Sequence, residues 1–172
     1  MWSSDRNGLR AGSARAAVLG VLATAVAACG FHLAGGAPLP SALARPFLSF
    51  ADPYSDFARS FEQQLKTAGA TPQRRAVDAS ATIEISRDSV EQRVLSVSPS
   101  NIPTEYLLVY TVTYSVRGAH GELLAPQTIS LSQDYSFSEQ DALAKEHEAE
   151  TLRSHLAREL AAIATRRLAG LK

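Results

Sequence analysis

Glu105-Tyr-Leu-Leu-Val-Tyr-Thr-Val-Thr-Tyr-Ser-Val-Arg117 is the stretch on which the fold turns. In an extended chain, successive side chains point to opposite sides. Tyr106, Leu108, Tyr110, Val112, Tyr114 and Val116 therefore share one face, and Leu107, Val109, Thr111, Thr113 and Ser115 share the other. One face is wholly apolar or aromatic while the other grades into hydroxyls. Such a strand belongs to a sheet packed on helices one way and half-wet the other, as antiparallel sheets allow.

Working outward, Gly118-Ala-His-Gly121 makes a tight connection, so a strand over about 122–137 returns antiparallel. Ser138-Glu-Gln-Asp141 resembles a capping box. It opens a long helix to about Leu168, with Ala149, Leu152, Leu156, Leu160 and Ile163 as the expected buried stripe and Gly170 beyond its end. Upstream of the long strand, Ser98-Pro-Ser-Asn-Ile-Pro103 is a loop. Before the loop, Ala81, Ile83 and Ile85 alternate with Thr82, Glu84 and Ser86, and Val94-Leu-Ser-Val97 resumes strand character after a polar middle. Pro46 to Ala51 reads as a first strand. Asp52 is the expected cap and Pro53 the first position of a helix carrying Phe57, Phe61 and Leu65, with Gly69 as its stop. The expected fold is α+β, with two helices packed on one face of a mostly antiparallel four-stranded sheet.

The amino terminus obeys a different grammar. Arg6, Arg10 and Arg15 precede an apolar run from Ala16 to Ala28, which ends in small residues before Cys29, the only cysteine. A basic region, an apolar region and small residues before a cut make a secretory signal. A cysteine directly after the cut makes it a bacterial lipoprotein signal, with Cys29 as the site of lipidation. The run falls short of the roughly 20 apolar residues of a spanning helix. The expected organisation is a signal peptide over 1–28, a lipidated Gly- and Pro-rich extended leader over 29–44, and a single α+β domain over 45–172. Two or more acyl chains would hold that domain stably on a membrane.

Composition narrows the function. The chain has 17 basic and 17 acidic side chains, and loss of Arg6, Arg10, Arg15 and Asp5 with the signal leaves a slight acidic excess. Nucleic-acid binding, which needs clustered basic charge, is therefore not expected. No catalytic set emerges. His147-Glu148 lacks the second histidine of a zinc protease, His147 and His155 sit on a charged helix, and His120 falls in a turn. Glu146, Glu148 and Glu150 read as a solvated helix face. No catalytic residue, metal ligand or cofactor is nominated.

These residues carry a resemblance. Cys29-Gly-Phe-His-Leu33, Glu105-Tyr106, and Asp134-Tyr135-Ser-Phe137 continuing into Asp141-Ala-Leu-Ala-Lys145 resemble the lipopolysaccharide-assembly lipoprotein family (LptE, or rare lipoprotein B). The resemblance implies a non-enzymatic lipoprotein of the Gram-negative outer membrane. It implies as partners lipopolysaccharide and a β-barrel lipopolysaccharide-assembly protein (LptD-like), whose lumen the domain plugs and whose assembly it assists. Gly30 after the cysteine agrees with sorting to the outer membrane, periplasm-facing or within the barrel lumen. Lys145 matches a basic position of the family and is the expected lipopolysaccharide contact. Arg93 is the nearest cation to the loop before the long strand, which itself has none, and is the second candidate. Where the family often has Arg, this chain has Ala34. The alternative is an amphiphile chaperone acting without a barrel, which would need the tyrosine face of the long strand left bare as a groove.

Overall fold

The computed structural model describes residues 38–137 and 142–171. The expected signal peptide, Cys29, the expected leader through residue 37 and the expected Ser138–Asp141 capping box lie outside these residues. The elements are β1 (Pro46–Phe50), α1 (Asp56–Thr67), β2 (Ala81–Val97), β3 (Pro103–Gly118), β4 (Gly121–Ser136) and α2 (Ala142–Ala169). They build one four-stranded sheet in the order β1-β2-β3-β4. Strands β2, β3 and β4 are antiparallel neighbours, whereas β1 pairs parallel with β2. A parallel pair needs a crossover, and α1 supplies it. The sheet is thus mixed, mostly antiparallel, and two helices cover one face.

The alternation of β3 appears directly in its burial. Leu108, Tyr110, Val112, Tyr114 and Val116 are buried, and Tyr106 is half-buried at the strand's start. Strand β2 is one continuous element rather than two apolar pieces around a polar middle. Its pairing slips between Ile85 and Arg87, leaving Ser86 as an extra residue. Before this bulge Ile83 and Ile85 face inward, opposite Val116 and Tyr114; after it Asp88, Val90, Gln92 and Val94 do, opposite Val112, Tyr110, Leu108 and Tyr106. Without the slip, Arg87, Glu91 and Arg93 would face the helices. One extra residue reverses the facing of everything that follows.

Helix α1 starts later than the Asp52-Pro53 signal suggests. Ser55 is the cap, its Oγ accepting from the Ala58 amide at 2.9 Å, while Asp52 accepts from the Tyr54 amide in the preceding turn. Phe57, Phe61 and Leu65 are fully buried as the spacing predicts, and the two phenylalanine rings stack with centroids 5.2 Å apart. On α2, Leu156 and Leu160 are buried, but Ala149, Leu152 and Ile163 are only half-buried. The stripe is completed by Ala157, Ala161, Ala164 and Leu168. Small side chains let this helix pack closely against α1 and the sheet. The packed body also begins before residue 45, because Leu43 is buried in a short 3-10 turn and Leu39 packs on the core.

Candidate functional site

Past the bulge the sheet outruns its helical cover, and a cleft of about 590 Å³ opens between the inner sheet face and the first turns of α2. Its floor is aromatic. Tyr106 on β3 lies opposite Tyr135 on β4, with ring centroids 5.7 Å apart, and Phe137 meets Tyr106 edge-on at 5.5 Å. The amide of Phe137 donates to the Thr104 carbonyl at 2.8 Å, which holds that ring in place beyond the end of β4. Gln92 and the α2 residues Lys145, Glu146, Glu150 and Arg153 complete the walls.

Lys145 lines this cleft. Its side chain is only 21% exposed, and Nζ donates to Glu148 Oε2 at 2.7 Å and Ser136 Oγ at 3.2 Å. An incoming anion would have to draw it from Glu148. Arg93 is elsewhere. Opposite Leu107, it projects from the outer sheet face and pairs with Glu91 at 2.7 Å, a contact that pulls the Glu91 carboxyl below its ordinary range. The bulge that turned Arg93 outward thus puts it on the face of the sheet opposite Lys145. The cation that does share the cleft is Arg153, which on sequence alone reads only as part of the polar face of α2. No local signal could have found it, because its neighbours come from β3 and β4.

A second depression of about 540 Å³ adjoins the first, sharing Glu150 and Arg153. It is acidic, with Asp52, Asp56 and Asp88 around Tyr110. Burial first, and then the Asp88 carboxylate, push the Tyr110 hydroxyl well above its ordinary range. Burial likewise raises Tyr135, with Tyr106 and Glu148 adding to it and Arg153 opposing. Both phenols stay protonated at neutral pH and can act as hydrogen-bond donors. His120 and His147 are exposed, and His155 faces Glu159 at 3.5 Å on the helix surface. The cleft thus has an aromatic floor, a surface that can stack on a flat ring or sugar, and a rim on which Lys145 and Arg153 alternate with Glu146 and Glu150.

The long groove required of a barrel-free chaperone is not open. Tyr110 and Tyr114 lie under the helices, and only the Tyr106 end of that face is accessible. None of the other described elements lies over the opposite sheet face, which is rich in hydroxyls. Thr111 and Ser130 lie 3.1 Å apart and Thr113 and Thr128 2.9 Å apart across β3 and β4.

The family described as lipopolysaccharide-assembly, LptE, matches residues 47–168. A lipoprotein from Yersinia enterocolitica named LPS-assembly lipoprotein LptE is 31% identical over 143 residues, spanning 81% of this chain and 67% of that one. Among solved structures, rare lipoprotein B from Shewanella oneidensis superposes with a TM-score of 0.64 at 26% identity, covering 73% of this chain and 93% of that one. Lipoprotein B from Nitrosomonas europaea does so with a TM-score of 0.67 at 28% identity, covering 81% and 90%.

Proposed function

This chain belongs to the LptE lipopolysaccharide-assembly family, and from that premise we propose that it is a lipid-anchored, non-catalytic subunit of the outer membrane. In this reading it fills the lumen of a β-barrel lipopolysaccharide translocon, assists that barrel's assembly and helps pass the glycolipid to the outer leaflet. Cys29 carries the anchor. The observation that carries the reading is the outer sheet face, which no other described element covers and whose paired hydroxyls stand among charged side chains of both signs such as Arg87, Glu91 and Arg93. That chemistry suits the polar interior of a large barrel. The cleft supplies a glycolipid contact, with Lys145 and Arg153 toward phosphate and Tyr106, Tyr135 and Phe137 beneath the sugar. Arg93 would touch the glycolipid only by a separate approach from the outer face.

Detergent extraction followed by affinity purification of the full chain tests the central claim. Recovery of a large outer-membrane β-barrel in stoichiometric amount is expected. Recovery of a free lipoprotein from membranes that contain the intact barrel would overturn it and leave the amphiphile chaperone, whose ligand would have to fit the cleft at Lys145 because the long tyrosine face is covered.

A further inference from the structure

The open edges of the sheet are not alike. Strand β1 pairs with β2 only as far as Ile85, so the edge of β2 is open beyond that point among the described residues. That stretch carries Arg87, Asp88, Glu91 and Arg93, charges that deter a further strand. The edge of β1 is covered in part by the bridge from Phe47 to Gln73. Strand β4 is last in the sheet order, and no other described strand lies beyond it. Its blunting residue is Pro126, beside a slip in the ladder with β3. From Gln127 to Gln133 the sequence Gln-Thr-Ile-Ser-Leu-Ser-Gln holds no charge, glycine or proline. Such an edge is a template for one more strand.

The ladder places the free backbone groups of β4 residue by residue. The Phe137 amide donates to the Thr104 carbonyl, and these two residues continue the register of β3 with β4 as a hydrogen-bonded pair. In an antiparallel ladder such pairs recur at every second residue. Tyr135, Gln133, Leu131 and Ile129 therefore turn their amides and carbonyls to β3, whereas Thr128, Ser130, Ser132 and Asp134 turn theirs outward. Thr128 and Ser130 also carry the paired hydroxyls of the outer sheet face, so the open backbone and that face meet at the same residues. We infer that β4 receives an extended segment of the β-barrel partner as a fifth strand of this sheet, an inference that rests on the barrel reading above. A closed barrel wall has its own strands fully paired, so the segment comes from outside that wall. Its side chains alternate, apolar beside Ile129 and Leu131 on the helix side, small and uncharged beside Thr128, Ser130 and Ser132. Backbone pairing supplies the attachment and the alternation sets the register.

Ser132→Pro tests this in the full chain co-expressed with the barrel protein. It deletes one outward amide and leaves the bonds to β3 in place, whereas Ser132→Ala keeps the amide and loses only the hydroxyl. After detergent extraction and affinity purification, Ser132→Pro is expected to recover about tenfold less barrel than the wild type, and Ser132→Ala a wild-type amount. A thermal melt checks that each chain is folded. Wild-type recovery of barrel by folded Ser132→Pro would overturn the inference and leave the barrel reading standing. A wild-type chain recovered without barrel would overturn both. Equal losses in the two variants would also overturn the inference, assigning the contact to the hydroxyl. Amide hydrogen exchange needs no variant. In the free chain Ser130 and Ser132 should exchange quickly beside slow Ile129 and Leu131, and in the complex about tenfold more slowly or less. Unchanged exchange at Ser130 and Ser132 in the complex, or their protection by a second copy of this chain without barrel, would overturn the fifth strand.

Discussion

Ser55 and Asp88 are joined across the fold by a 2.5 Å hydrogen bond from the Ser55 hydroxyl to the Asp88 carboxylate. The same Ser55 oxygen accepts the Ala58 amide, so the residue that caps α1 also ties the helix to β2 just past its bulge. Asp88 faces inward only because of that bulge. The cap and the strand slip therefore support one another, and they set the wall of the acidic depression beside the cleft.

Ser55→Ala removes both contacts. We expect a loss of about 1–2 kcal/mol in urea unfolding, combining a cap with a hydrogen bond to a charged group. Asp52→Ala, which removes only the turn contact to the Tyr54 amide, should cost less than about 0.5 kcal/mol.

Val112 is completely buried in the centre of β3. Val112→Asp places a carboxylate there without a partner and should cost at least about 4 kcal/mol, enough to unfold many small domains. Near-ultraviolet circular dichroism and a thermal melt check this. A native-like melt would mean that the inward face of β3 has been assigned backwards.

The Tyr114 hydroxyl is buried without a hydrogen-bond partner among the described residues. Burial raises its pKa, and the Arg167 guanidinium only partly offsets that. Tyr114→Phe gives up an unsatisfied polar group, so stability should be unchanged or higher by up to about 1 kcal/mol. Denaturant midpoints of the two proteins decide the matter.

Lys145→Glu should weaken binding of the purified domain to lipopolysaccharide by about tenfold at low salt, the worth of one charge-assisted contact. Arg153→Glu should act in the same direction, whereas Arg93→Glu should leave binding in the cleft intact. Titrations at two ionic strengths check the assignment, because a phosphate contact must weaken with salt. Equal effects of Arg93→Glu and Lys145→Glu would return the site to the outer face.

Alkaline pH probes the buried phenols. Tyr110 is raised above the ordinary value of 10.0 for a tyrosine, so the folded state holds its proton where the unfolded chain releases it. Its contribution to stability is complete below about pH 10 and declines as pH rises beyond that. Urea midpoints should stay flat from neutral pH to about 9 and fall above it. Tyr110→Phe should flatten the fall, and an identical decline in that variant would assign it to other groups.

Periodicity alone reached the architecture, because burial of one face repeats every second residue in β3 and about every fourth in α1. Phe57, Phe61, Leu65 and the even-numbered residues from Leu108 to Val116 declare their positions in this way. The expected N-terminal signal is read just as locally, from charge, apolar length and one cysteine in order, and it lies outside the described residues. What the linear pattern could not determine was phase and neighbourhood. The slip at Ser86 turned Arg93 away, and the alanines of α2 became core because a second helix lies close to them. Arg153 gained its meaning only beside aromatic rings from β3 and β4. Each of these depends on which segment lies across from which, a relation between residues far apart in the chain that exists only once the sheet has closed its register.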